Sequence, residues 1–143
     1  MPEKELIPDL SGVLETSLYV DDVGRSSEFY GRIFGFKAMI QDQRFCALSV
    51  AGRHVLLLFR KGSSTTVTVV PGGVIPPHDG SGELHLAFSV PASALADWEA
   101  RLAALGVAIE SRVSWPRGGR SIYFRDPARN LVELITPGCW SIY

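Results

Sequence analysis

Neither sign of charge dominates this sequence: 14 Lys and Arg stand against 15 Asp and Glu in 143 residues, for a formal net charge of -1. That balance leaves no global field for nucleic acid or an acidic membrane surface, so neither is an expected partner. No apolar run approaches the ~20 residues that a membrane-spanning helix needs. Met1 to Leu6 holds no basic segment leading into an apolar stretch, so a cytoplasmic protein is expected. Cysteine is scarce as well. Cys46 and Cys139 lie far apart without C-x-x-C spacing and read as isolated thiols of a reducing compartment, not as a disulfide framework. What is present is 46% hydrophobic content, the profile of one globular domain over residues 1–143. A chain of this length buries roughly two thirds of its unfolded surface without staples. The expected partner is a small molecule.

The chain repeats itself. Leu14 to Val20 and Leu84 to Val90 are both apolar-rich runs of strand length, and each leads into a helix signal. In the first copy Asp22 is the expected cap, Phe29, Tyr30, Ile33 and Phe34 share one face, and Gly35 is the stop. In the second copy Ser93 is the expected cap, Leu95, Trp98, Leu102 and Leu105 recur at helical steps, and Gly106 follows. Further strands are expected over Phe36 to Ile40, Phe45 to Val50 and Val55 to Phe59, then over Val107 to Val113, Ser121 to Phe124 and Leu131 to Ile135. The unit is β-α-β-β-β, used twice: module one over 13–62, a Gly/Pro/Ser/Thr-rich linker over 63–82, and module two over 83–138. Within the linker, Val67 to Val70 is a candidate short edge strand. The fold class is α+β, with two tandem βαβββ modules joined edge to edge into a cupped mixed sheet and the helices on its outer face.

Strand alternation sorts side chains by face. Leu18 and Val20 belong with the helix, as do Leu84, Leu86 and Phe88, and the opposite face carries Glu15, Ser17 and His85. If Val132 and Leu134 pack under the helix, Glu133 joins His85 and Glu15 on the open face, because an unpaired carboxylate in an apolar core is costly. An imidazole and two carboxylates from three strands then form a candidate metal site. The plainer alternatives are a satisfied interior histidine for His85 and a salt bridge from Glu133 to a nearby arginine.

The segments Leu18-Tyr19-Val20-Asp21-Asp22, Ser27-Glu28-Phe29-Tyr30, Gly35-Phe36, His85-Leu86-Ala87-Phe88, Tyr123-Phe124-Arg125-Asp126-Pro127 and Asn130-Leu131-Val132-Glu133-Leu134 together resemble the vicinal-oxygen-chelate superfamily. That group includes glyoxalases, bleomycin- and fosfomycin-resistance proteins and extradiol dioxygenases, and the likeness spans about residues 13 to 138. The resemblance implies metal ligands on the first and last strands of both modules, which fall here on Glu15, His85, Leu57 and Glu133. Leucine cannot bind a metal, so His85, Glu133 and Glu15 are the expected ligands, with positions left for water or for a substrate with neighbouring oxygens. This donor set suits divalent Mn, Fe, Ni or Zn.

Ser17, Ser121 and Tyr123 are expected to face a ligand, and Trp115 to wall its pocket. Arg117 and Arg120 belong to an arginine-rich stretch, with Arg112, Arg125 and Arg129, that suits an anionic substrate group. The resemblance implies a metal-dependent enzyme of glyoxalase/dioxygenase type, with lyase, isomerase or transferase chemistry on a small oxygen-rich or anionic molecule. A metal-free, small-molecule-sequestering protein of the bleomycin-resistance type is the alternative. It also implies a homodimer, since the cup closes either within one chain or between two. Should the modules exchange, Glu15 and His85 of one site would come from different subunits.

Overall fold

The computed structural model describes Met1 and residues 5–143. Module one runs β1 (Glu15–Val20), α1 (Val23–Phe34), β2 (Lys37–Gln41), β3 (Phe45–Val50) and β4 (His54–Arg60). Module two runs β7 (His85–Ser89), α2 (Leu95–Ala104), β8 (Ser111–Ser114), β9 (Arg120–Arg125) and β10 (Leu131–Ile135). Each builds a four-stranded mixed sheet of the same topology, β1-β4-β3-β2 and β7-β10-β9-β8. In both sheets the first strand lies parallel to the last, while the remaining pairs are antiparallel. The α+β class and the doubled βαβββ unit are therefore present.

Helix α1 forms where its sequence supplies both ends. Asp22, in an extended conformation, accepts a hydrogen bond from the Arg25 N–H, and Gly35 takes the left-handed φ of 71° that closes the last turn onto Gly31. Val23, Ser26, Phe29, Tyr30 and Ile33 turn inward at helical spacing. Asp22→Ala is expected to cost about 1 kcal/mol, seen as a lower urea midpoint with an unchanged slope.

Two expectations are corrected. Ser93 does not cap α2. A 3-10 turn over Ala92–Ala94, closed by the Ala94 N–H on Pro91 O, precedes the helix, and its N-cap residue Ala94 makes no side-chain bond. The strand expected from Val107 begins at Ser111, because after Gly106 at φ 73° the Val107 N–H turns back to Leu102 O and finishes the helix end. The short strand expected within the linker is present as β5 (Thr68–Val70), which pairs only with β6 (Gly73–Ile75) in a hairpin.

The sheets meet through side chains; no ladder of hydrogen bonds pairs β1 with β7 among the described residues. One apolar core takes Leu18, Leu48, Leu56 and Leu58 from module one and Leu102, Ile122, Phe124 and Leu134 from module two. Phe34 at the end of α1 stacks on Phe36 at 4.9 Å and meets Phe88 at 4.9 Å and Trp98 at 5.4 Å with tilted rings. Arg101 of α2 donates to the terminal α1 carbonyls of Ile33 and Arg32, which lack partners inside their own helix. No helix among the described residues is long and apolar enough to cross a membrane.

The second tie is the turn between β9 and β10. Asp126 Oδ1 accepts from the Ala128 and Asn130 N–H groups, and its Oδ2 accepts from Tyr30 OH of α1 and from Asn130 Nδ2. Asn130 in turn accepts from Leu84 N and donates to Tyr19 O. The turn thus fixes α1, the end of β1 and the residue before β7 to one point.

Candidate functional site

The open face of module two carries the polar cluster. Register sets it: His85 of β7 lies beside Leu131 of β10, so Glu133, two residues on, projects from the same face next to Ala87. His85 Nε2 stands 3.2 Å from Glu133 Oε1; the histidine side chain is 50% exposed and the glutamate only 7%. His85 Nδ1 lies 3.0 Å from Leu131 O. A carbonyl oxygen only accepts, so Nδ1 carries a proton, and Nε2 is the ring nitrogen turned to Glu133.

The other carboxylate oxygen is engaged. Ser121 Oγ donates to Glu133 Oε2 at 2.5 Å and accepts from Trp115 Nε1 at 2.8 Å. Tyr123 lies opposite Glu133 on β9, its ring 6.3 Å from that of His85. Burial first, and then the Glu133 charge, hold the Tyr123 phenol above its ordinary range. It is a proton donor at neutral pH. Cys139, half-buried, lies in the segment after β10. Nothing in the sequence signals that position.

Glu15 and Ser17 lie on the first strand of the other sheet, beside Val55 and Leu57. The structure does not bring Glu15 into a group with His85 and Glu133: no cluster of three or more His, Cys, Asp or Glu side chains suited to a metal occurs among the described residues. At its far end this face is covered by the linker. His78 Nδ1 is hydrogen-bonded to Tyr19 OH at 2.5 Å, and the His78 ring meets Phe59 edge-on at 4.5 Å. Gly80 lies so close to the Tyr19 ring that a Cβ would sit 2.3 Å from it.

The arginine-rich stretch divides. Arg112 pairs with Glu99, Arg125 with Glu110 and Glu83, and Arg129 with Glu83, so acids from distant segments neutralise three of the five. Arg120 sits with Leu95, Ala96, Glu99 and Arg112 on the α2 side of the sheet, away from the His85 face, because its even position in β9 shares the face of Ile122 and Phe124. Arg117 is exposed in the β8–β9 turn. Ser121 is buried, accepting from Trp115 Nε1 and donating to Glu133 Oε2.

Two four-stranded sheets of repeated βαβββ topology, with an imidazole–carboxylate pair on the first and last strands of one of them, define the class of protein. A family model described as the Glyoxalase/Bleomycin resistance protein/Dioxygenase superfamily matches residues 12–134, and the chain belongs to that superfamily. Among solved structures, lactoylglutathione lyase from Agrobacterium tumefaciens is 31% identical with a TM-score of 0.85, covering 94% of this chain and 99% of that one. An integron cassette protein from the mobile metagenome of V. cholerae is 25% identical with a TM-score of 0.66, covering 92% and 99%. A mutant of the fosfomycin resistance protein FosX from Listeria monocytogenes, complexed with Mn(II) and 1S,2S-dihydroxypropylphosphonic acid, is 24% identical with a TM-score of 0.63, covering 88% and 92%. No curated protein matches the chain.

Proposed function

We propose that the protein is a divalent-metal-dependent enzyme of the glyoxalase type, acting on a small molecule with neighbouring oxygens, and that His85 and Glu133 hold the metal. The observation that carries this reading is the contact between His85 Nε2 and Glu133 Oε1. With Nδ1–H directed at Leu131 O, His85 Nε2 and a Glu133 carboxylate oxygen, the two donor atoms, stand 3.2 Å apart. His85 Nε2 and Glu133 Oε1 would together hold a divalent cation. A histidine whose other nitrogen is fixed by a backbone carbonyl, and a carboxylate oriented by a serine, is the supported arrangement expected around a bound metal.

A bound divalent ion supplies Lewis acidity, polarising adjacent substrate oxygens. The chain supplies the rest. Tyr123, kept protonated, would offer a hydrogen bond to substrate at the rim, and Ser121 holds the glutamate. Mn, Fe, Ni and Zn all suit nitrogen and carboxylate donors. The Mn(II) in the FosX mutant complex and the lactoylglutathione lyase likeness favour this class of chemistry.

Glu15 is the third donor of this reading, contributed by a second copy in a homodimer, with Ser17 and Arg117 as substrate contacts. Support comes from apolar side chains that the single chain leaves uncovered: Leu6, Ile7 and Leu10 near the start, Val69 and Val74 in the β5–β6 hairpin. The test is elemental analysis of protein purified without added metal or chelator, then after incubation with Mn, Fe, Ni or Zn, with the mass in solution measured in parallel. About one metal per chain and a dimeric mass are expected. No uptake of any of the four overturns the enzyme reading and leaves a metal-free binding protein.

A further inference from the structure

We propose that Trp115 is a positioning residue for this metal centre, acting on Glu133 through Ser121. The inference rests on the metal reading above and adds to it a group two hydrogen bonds away from the ligands. An indole N–H can only donate. Because Trp115 Nε1 donates to Ser121 Oγ, the serine's single proton is free to turn to Glu133 Oε2, and the short Oγ–Oε2 distance of 2.5 Å fits that assignment. The proton direction is therefore fixed along the whole line, from Trp115 to Ser121 to Glu133. One carboxylate oxygen is tied down, and the other, Oε1, is aimed at His85. Without the indole, Ser121 Oγ keeps an unmet acceptor in a buried position and is released to rotate.

The indole is itself held from behind. The Trp115 backbone N–H bonds Gly119 O at 2.7 Å and the Gly118 N–H bonds Trp115 O at 2.9 Å, which closes the tight turn before β9. That turn lies against the segment after β10. Gly119 N–H reaches Gly138 O, and a Cβ on Gly119 would stand 2.6 Å from the Gly138 carbonyl carbon. Gly138, at φ 108°, has equally little room, since a Cβ there would stand 2.5 Å from Gly119 N. Two backbones thus meet where no side chain fits, and the meeting sets the direction from which the indole approaches Ser121.

A tryptophan that merely fills space would be replaced by phenylalanine without consequence for a metal. The experiment therefore titrates chelator-stripped wild type, W115F, S121A and the double variant with Mn2+ followed by electron paramagnetic resonance of the free ion, and with Zn2+ by calorimetry. Each single variant is expected to bind about 10- to 100-fold more weakly, the range for partners that orient a ligand. The double variant should be no weaker than S121A alone, because the indole acts only through the serine. W115F binding as tightly as wild type, or losses that multiply in the double variant, overturn the proposal.

A second readout needs no metal. The Trp115 indole N–H resonance, assigned by its disappearance in W115F, is expected to move in both S121A and E133Q of the metal-free protein. If it moves in neither, the relay is absent even where wild type binds metal. A wild type that takes up neither ion overturns the metal centre itself, together with the role given to Trp115 there.

Discussion

Glu133→Gln is expected to leave the metal-free protein more stable than wild type while removing its grip on divalent metal. In wild type, Glu133 Oε1 lies 3.2 Å from His85 Nε2 while Nδ1 faces Leu131 O, so a neutral His85 sets two acceptors against each other. Glutamine has the same shape and reverses one end. Its amide oxygen accepts from Ser121 as Oε2 does now, and its NH2 donates to His85 Nε2. The substitution adds a hydrogen bond of about 1 kcal/mol and takes a charge out of a site only 7% exposed. In chelator, the variant's melting midpoint should therefore rise.

Metal binding should move the other way, falling by more than about 100-fold, since the loss of a ligand exceeds the 10- to 100-fold cost of losing a partner that only orients one. Thermal melts of both proteins, with chelator and with added Mn2+, check both signs together. A variant less stable than wild type in chelator would point to a protonated His85 paired with the carboxylate, and would remove the case for a cation. The expected pattern is that of a site kept under local strain for its ligand.

The sequence carries the part of this site that follows from strand parity. β3 and β10 run over the residues that alternation and flanking turns indicate, Phe45–Val50 and Leu131–Ile135. Parity alone puts His85 and Glu133 on one face, and the parallel β7–β10 pairing makes them neighbours. What parity does not convey is who partners whom across long separations. Arg112, Arg125 and Arg129 look unneutralised locally because Glu99, Glu110 and Glu83 reach them from other segments. Trp115 reads as a pocket wall because its bond to Ser121 depends on the shape of a five-residue turn and on the chain that packs behind it. Glu15 occupies the matching position in module one, yet matching positions in two modules need not meet within one chain. Ser93 has the right chemistry for a cap, but Pro91 leads the chain into a 3-10 turn first.

Asp126→Ala is expected to be strongly destabilising, since each buried donor left without its acceptor costs about 1–3 kcal/mol, a large share of the ~5–15 kcal/mol that holds a domain together. Asp126 is 3% exposed, and its two oxygens accept from Ala128 N, Asn130 N, Tyr30 OH and Asn130 Nδ2. Alanine leaves all of these donors without that acceptor. Tyr30→Phe removes one donor and should cost about 1.5–3 kcal/mol, as for a bond to a charged group. The double variant should lose less than the sum, since both substitutions delete the same bond.

Alkaline pH provides a second check on this pair. Burial first, and then Asp126, raise the Tyr30 phenol well above its ordinary value of 10.0, so the folded protein retains that proton where the unfolded chain gives it up. The native state then binds more protons than the unfolded state, and stability falls as pH climbs above about 10. The Tyr30 contribution is whole below that pH and is lost as pH rises through the folded-state value. Urea midpoints followed from pH 8 upward should fall less steeply in Tyr30→Phe. The same turn reaches the candidate site, because Asn130 accepts from Leu84 N and Leu131 N–H bonds Leu84 O, immediately before His85. Loosening Asp126 frees that anchor, so Asp126→Ala should also weaken metal binding in the fraction that remains folded, whereas Tyr30→Phe, which leaves the Asp126–Asn130 bonds in place, should not.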